Sequence, residues 1–124
     1  MDIDAARDDL RTDLEPLGIP THFGPMDKDP LVLPALVIVP ARTGPWVEPG
    51  QTFTVNRYHF DLIFQCTGDD TDAAMNQIID FVSRFSRLRS TWTHGFTVEA
   101  PYQVNAGAAT WVEILIHVSN QREG

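Results

Sequence analysis

The clearest pattern of apolar and polar positions runs from Tyr58 to Arg89. Between residues 58 and 67 apolar and polar side chains alternate, which predicts a strand with one buried face. The turn Gly68-Asp69-Asp70-Thr71 ends the alternation. From residue 74 to residue 88 apolar side chains recur at helical spacing, which predicts an amphipathic helix with acidic residues at its start and arginines near its end. This strand and helix form the predicted centre of the core.

The first part of the chain predicts a helix and a buried strand. An apolar stripe indicates a helix from Ile3 to Leu17, and Gly18 and Pro20 are typical of its end. A short edge strand is expected within residues 19–23. Residues 35–39 are continuously apolar and mostly β-branched, which favours a strand buried on both faces.

The last part of the chain predicts a hairpin. Phe96 to Val104 is expected to form one strand, at the edge or bulged because it contains Pro101, and Thr110 to Val118 is expected to pair with it. The element order is therefore α-β-β-α-β-β. It predicts an α+β fold with a four-stranded, mostly antiparallel sheet, two helices on one face, and a long loop between the first two strands.

The long loop and the uncovered sheet face are the predicted contact surfaces of a single domain, residues 1–124. Residues 41–57 are rich in turn formers and are expected to project as a loop or hairpin. Trp46 within them has two interpretations: it caps its own core, or it packs on another chain. A large uncovered apolar face is rarely left exposed, which favours self-assembly. The predicted interface residues are Trp46, Phe53, Trp92, Trp111 and Leu115.

Composition and charge exclude several classes of protein. The 124 residues carry a formal net charge of −8, which argues against nucleic-acid binding. Cys66 is the only cysteine, so no internal disulfide is possible, and its strand position predicts a buried, inert thiol. The N-terminal residues resemble no signal peptide and no apolar run is long enough to cross a membrane, so we expect the chain to act first in a cytoplasm, without a membrane partner.

No pattern in the chain indicates catalysis or a cofactor. The histidines have no metal-ligand spacing, the serines lie outside nucleophile motifs, and no glycine-rich phosphate loop occurs. The acidic turn at residues 69–72 lacks the glycine and glutamate of a calcium loop and is better explained by a helix start. His117 and Glu113 share one strand face, where a plain polar contact is the ordinary interpretation. We therefore predict no catalytic, cofactor-binding or metal-binding residues, and a protein that is not an enzyme.

The whole pattern resembles the tail-terminator (tail-completion) proteins of long-tailed bacteriophages and the related neck proteins of the head-to-tail interface. The matching features are an opening helix with a Gly-Ile-Pro end, a buried strand ending in proline, a long aromatic strand, an acidic turn that opens a helix, and a closing hairpin. In this chain the first four are Leu17-Gly18-Ile19-Pro20, residues 36–40, residues 58–64, and Asp72-Ala73-Ala74 with Ile78-Ile79-Asp80.

The resemblance implies a homo-oligomeric ring, a hexamer, at the head-proximal end of the virion tail. Such a ring caps the tail tube, stops its polymerisation and joins it to the head-closure or connector protein, while DNA passes through the lumen without specific binding. It is assembled in the host cytoplasm and has neither catalytic residues nor a cofactor. The alternatives are another virion role, as a head-closure adaptor or a tail-tube subunit, and a small α+β enzyme or ligand-binding domain that uses His59, His94 or His117.

Overall fold

Two α-helices and a seven-stranded sheet make up the part of the chain that the computed structural model describes, residues 2–24, 32–52, 54–68, 71–107 and 109–123. The first helix, α1 (Ile3–Leu14), begins at Asp2, whose side chain accepts a hydrogen bond of 2.8 Å from the backbone N–H of Ala5. A 3₁₀ turn, Glu15–Leu17, extends it to Gly18, which has a φ of +67°.

Seven strands, which range from three to fifteen residues, and a second helix follow. They are β1 (Thr21–Phe23), β2 (Ala35–Pro40), β3 (Val47–Pro49), β4 (Val55–Thr67), α2 (Thr71–Ser86), β5 (Phe96–Val98), β6 (Tyr102–Ala106) and β7 (Ala109–Glu123). A second 3₁₀ turn, Thr91–Thr93, lies between α2 and β5.

The sheet is built around the pairing of β4 with β7. Every residue of β4 pairs with β7, from Val55 opposite Glu123 to Thr67 opposite Trp111. The strand order is β1-β2-β4-β7-β5, with β3 also paired to β4 and β6 also paired to β7. All pairs are antiparallel except β1 with β2, which is parallel.

The prediction of a four-stranded, mostly antiparallel sheet in the order α-β-β-α-β-β is wrong. The sheet has seven strands, is mixed, and follows the order α-β-β-β-β-α-β-β-β. Three of the strands contain only three residues each, too few to produce a recognisable alternation. The predicted strand from Phe96 to Val104 is two strands, β5 and β6, separated by a segment that contains Pro101, because proline cannot donate to a strand ladder.

The core lies between the helices and one face of the sheet. Even-numbered side chains of β2, β4 and β7 point to this face, where Phe64 stacks on Phe81 of α2 at 4.2 Å between ring centroids. The prediction that Cys66 is buried is confirmed, and burial raises the pKa of its thiol to about 11. Asp69 and Asp70, predicted at the start of the second helix, lie outside the described residues.

Gly68 allows the end of β4 to approach β7 closely. A Cβ atom at this position would lie 2.5 Å from the backbone oxygen of Thr110, which cannot move without disturbing the strand. We therefore expect Gly68→Ala to lower the free energy of unfolding by about 1–3 kcal/mol in chemical denaturation. Gly95→Ala is the matched control, because no atom lies within 4 Å of its Cβ position. Equal effects of the two substitutions would contradict this explanation.

Candidate functional site

The sheet face turned away from the core carries the polar and aromatic side chains that form the candidate site. We call it the second face. Its side chains come from odd-numbered positions, which alternate with the core positions along each strand. It comprises Val37, Val39, His59, Asp61, Ile63, Gln65, Trp111, Glu113, Leu115 and His117, flanked by Arg42, Trp46, Glu48 and Tyr102.

A chain of hydrogen bonds joins two carboxylates through two histidines. Glu48 Oε1 lies 2.6 Å from His59 Nε2, His59 Nδ1 lies 3.3 Å from His117 Nε2, and His117 Nδ1 lies 2.9 Å from Asp61 Oδ1. The two imidazole rings stack with 5.4 Å between their centroids. The second oxygen of Asp61 accepts the backbone N–H of Arg42 at 2.9 Å, so the chain also fixes the start of the loop before β3.

The carboxylates decide which ring nitrogens donate. An ionised carboxylate only accepts hydrogen bonds, so His59 Nε2 donates to Glu48 and His117 Nδ1 donates to Asp61. The two nitrogens left, His59 Nδ1 and His117 Nε2, face each other at 3.3 Å. The Glu48–His59–His117–Asp61 chain therefore joins β3, β4 and β7 through polar side chains on the second face.

The structure gives His117 a cross-strand partner. Glu113 is only its same-face neighbour along the strand, whereas Asp61, directly opposite on β4, is hydrogen-bonded to it. Direct cross-strand neighbours lie closer together than same-face neighbours along one strand. Finding this pair required the register of β4 against β7, which the sequence pattern does not contain. His94 is exposed at the end of the second 3₁₀ turn.

A second cluster surrounds the buried carboxylate of Glu113, which is 8% exposed. Its Oε1 accepts Gln65 Nε2 at 3.0 Å and Trp111 Nε1 at 2.8 Å, and its Oε2 accepts the Tyr102 hydroxyl at 2.6 Å. Burial and the neighbouring carboxylate raise the pKa of Tyr102, which Arg42 partly opposes. Tyr102 is therefore a neutral donor to Glu113.

A cavity of about 660 Å³ opens beside this cluster. Its volume lies in the range typical of small-molecule sites. Its residues come from β2, β4, β6 and β7, from the loop before β3, and from Gly24 at the end of β1. Those that concern its chemistry are Arg42, Trp46, Gln65, Tyr102, Trp111 and Glu113. Arg42 and Tyr102 also line an adjoining cavity of about 710 Å³, which borders Asp61 and His117.

The predicted interface residues lie in different environments. Trp46 is 54% exposed and donates from Nε1 to the backbone oxygen of Ala41 at 2.8 Å. Trp111 and Leu115 lie on the second face, where both are largely buried within the subunit. Trp92 lies in the core with no exposed surface, and Phe53 lies outside the described residues. The structure therefore brings together Trp46 and Trp111, which line one cavity, and separates Trp92 from them.

Among the described residues no helix is both long and apolar enough to cross a bilayer. In the same part of the chain no three histidine, cysteine or acidic side chains converge as metal ligands.

Comparison with known proteins identifies a shared fold and no family. No family model matches the chain, and no curated protein is significantly similar to it. One solved structure superimposes with a TM-score of 0.55 at 13% sequence identity, over 100% of this chain and 98% of the other, and the name of that protein states no function. This likeness shows that the α+β architecture is shared.

Proposed function

We propose that the chain is a subunit of a homo-oligomeric ring that terminates a bacteriophage tail tube and joins it to the head connector. The observation that carries the proposal is a pair of exposed apolar patches on opposite sides of the subunit. Trp46 and Tyr102, 54% and 39% exposed, flank the second face. Met75 and Ile79, 41% and 59% exposed, lie one turn apart on the outside of α2.

Two different patches fit a ring better than a two-fold dimer. A dimer uses the same patch on both subunits, whereas a ring is closed by head-to-tail contacts between two different patches. The helices pack on one face of the sheet, so the α2 patch and the second face point in opposite directions. If the α2 patch of each subunit contacts the second face of the next subunit, every subunit buries both patches when the ring closes.

We further propose the partners of the ring. Its neighbours along the ring axis are the tail-tube protein and the head-closure or connector protein, at the head-proximal end of the virion tail. The net charge of −8 supports a lumen through which DNA passes without binding. We propose assembly in the host cytoplasm and no catalytic role.

The first experiment measures the mass of the purified protein by light scattering from micromolar to near-millimolar concentration, with negative-stain imaging. We expect a discrete ring of one size. Ile79→Glu places a charge in one patch and should shift the mass to that of a monomer. Stability should stay within about 0.5 kcal/mol, because the site is exposed. Thr12→Glu adds the same charge at an exposed position of α1 and should leave the ring intact.

Two outcomes would contradict the terminator proposal. Open-ended tubes formed by the wild-type protein would indicate a tube subunit, since a terminator stops at one ring. A wild-type monomer at every concentration, unchanged when tail tubes are added, would exclude ring formation. A ring that survives Ile79→Glu would show that the α2 patch is not the contact.

A further inference from the structure

We propose that the cavity lined by Gln65, Glu113 and Trp46 is a binding site for a guanidinium group, the cationic end of an arginine side chain. Four observations carry this: a buried acceptor without a donor, a buried carboxylate whose described donors are all neutral, aromatic side chains around the cavity, and a guanidinium already present at its edge. The proposal concerns the single subunit and does not depend on ring formation.

Gln65 presents an acceptor that has no hydrogen-bond partner among the described residues. Its side chain is 4% exposed, and its Nε2 donates to Glu113 at 3.0 Å. A carboxylate accepts only, so the amide nitrogen must face Glu113 and the carbonyl oxygen must face elsewhere. A buried acceptor without a donor costs about 1–3 kcal/mol. The oxygen itself is buried, so a ligand N–H group reaches it only when the Gln65 side chain moves, and the hydrogen bond then formed removes this cost.

The charge of Glu113 selects a cationic donor. Its three described donors are an amide, an indole and a phenol, all neutral. Oε2 receives one of them and therefore keeps a further acceptor position. A buried negative charge is screened less by solvent than an exposed one. An anion would face both this carboxylate and the unpaired oxygen of Gln65, so anionic ligands are disfavoured.

The aromatic lining selects a guanidinium over an ammonium. Trp46, Trp111 and Tyr102 all line the cavity. A guanidinium is planar, weakly hydrated and stacks on aromatic rings, and its several N–H donors can reach two acceptors at once. Gln65 and Glu113 are hydrogen-bonded neighbours, and both line the cavity. Arg42 shows that the chemistry fits, because its side chain interacts with the Tyr102 hydroxyl at the edge of the cavity.

The test titrates N-acetyl-arginine amide into isotopically labelled full-length protein and follows the three tryptophan indole N–H signals by NMR. The Ile79→Glu variant is used as well as the wild type, so that binding is measured whether or not a ring forms. We expect the Trp46 and Trp111 signals to shift and saturate. The core Trp92 signal should stay fixed and serves as an internal control. The lysine analogue should bind more weakly, and the uncharged citrulline analogue should bind at least about ten-fold more weakly.

Substitutions at the cavity should act in opposite directions. Glu113→Gln should weaken arginine binding about ten-fold, because it removes the charge. Arg42→Gln removes a competing cation and should strengthen binding a few-fold, and its backbone bond to Asp61 is unaffected. Trp46→Ala should weaken binding about three- to thirty-fold at an exposed site that the fold tolerates. Val47→Ala, at the adjacent position outside the cavity lining, is the matched control.

Three results would overturn the proposal: no saturable shift of the cavity indoles, equal binding of arginine and citrulline analogues, or equal binding of arginine and lysine analogues. A mass measurement on the assembled protein identifies the source of the guanidinium. If a neighbouring subunit supplies it, saturating probe should lower the particle mass, and if a free small molecule supplies it, the mass should stay constant. A failed ring with intact arginine binding would contradict only the ring proposal.

Discussion

Trp92→Ala should lower the free energy of unfolding by about 3–5 kcal/mol, the largest loss we expect from any single tryptophan substitution. Trp92 has no exposed surface, and its ring meets Phe60 edge-on at 5.7 Å between centroids. Its Nε1 donates to Asp9 of α1 at 3.1 Å. Asp9 also accepts from Arg122 of β7 at 2.8 Å, and the Arg122 guanidinium lies 5.3 Å from the centre of the indole. Alanine removes a large buried volume and also removes the indole contacts with Asp9 of α1 and Arg122 of β7.

Trp46→Ala is the matched control for this prediction. Trp46 is 54% exposed and its side chain makes one hydrogen bond to the described part of the chain, so its loss should cost less than about 1 kcal/mol. Urea denaturation of both variants, followed by circular dichroism, gives the comparison. A Trp92→Ala protein that is as stable as Trp46→Ala would contradict the core assignment of Trp92. Trp92 would then again be a candidate interface residue.

The contrast between these tryptophans shows how far the sequence predicts the structure. Both occur in short segments rich in turn-forming or polar residues, where no periodicity gives the direction of a side chain. Long elements were predictable because their patterns repeat: the β4 alternation and the α2 stripe lie where the sequence placed them. The three-residue strands were not predictable, because they depend on partners distant in sequence.

The candidate site required information that only the register supplies. In the sequence Gln65 is an ordinary polar position on a strand. Its unpaired oxygen can be recognised only once the register places Glu113 opposite it. The histidine chain combines β3, β4 and β7, so no spacing along the sequence could indicate it. One signal was available: Asp61 is a charged residue in the middle of a strongly apolar strand, and buried charges are rare without partners.

Asp61→Ala should lower the free energy of unfolding by about 2–4 kcal/mol, because it leaves two hydrogen-bond donors without an acceptor. Asp61 is 3% exposed and accepts from His117 Nδ1 and from the backbone N–H of Arg42, both at 2.9 Å. Loss of the second bond frees the start of the loop that carries Trp46. Hydrogen exchange at the Arg42 amide should therefore become faster in the variant than in the wild-type protein.

A double-mutant cycle between Asp61 and His117 separates the hydrogen bond from simple loss of packing. If the pair acts through its bond, Asp61→Ala and His117→Ala should be non-additive, with a coupling energy of about 1–2 kcal/mol. Asp80→Ala lies on the exposed side of α2 and should combine additively with Asp61→Ala, within about 0.5 kcal/mol. Additivity of the Asp61 and His117 substitutions would refute the hydrogen bond between them, because the two side chains would then contribute independently to stability.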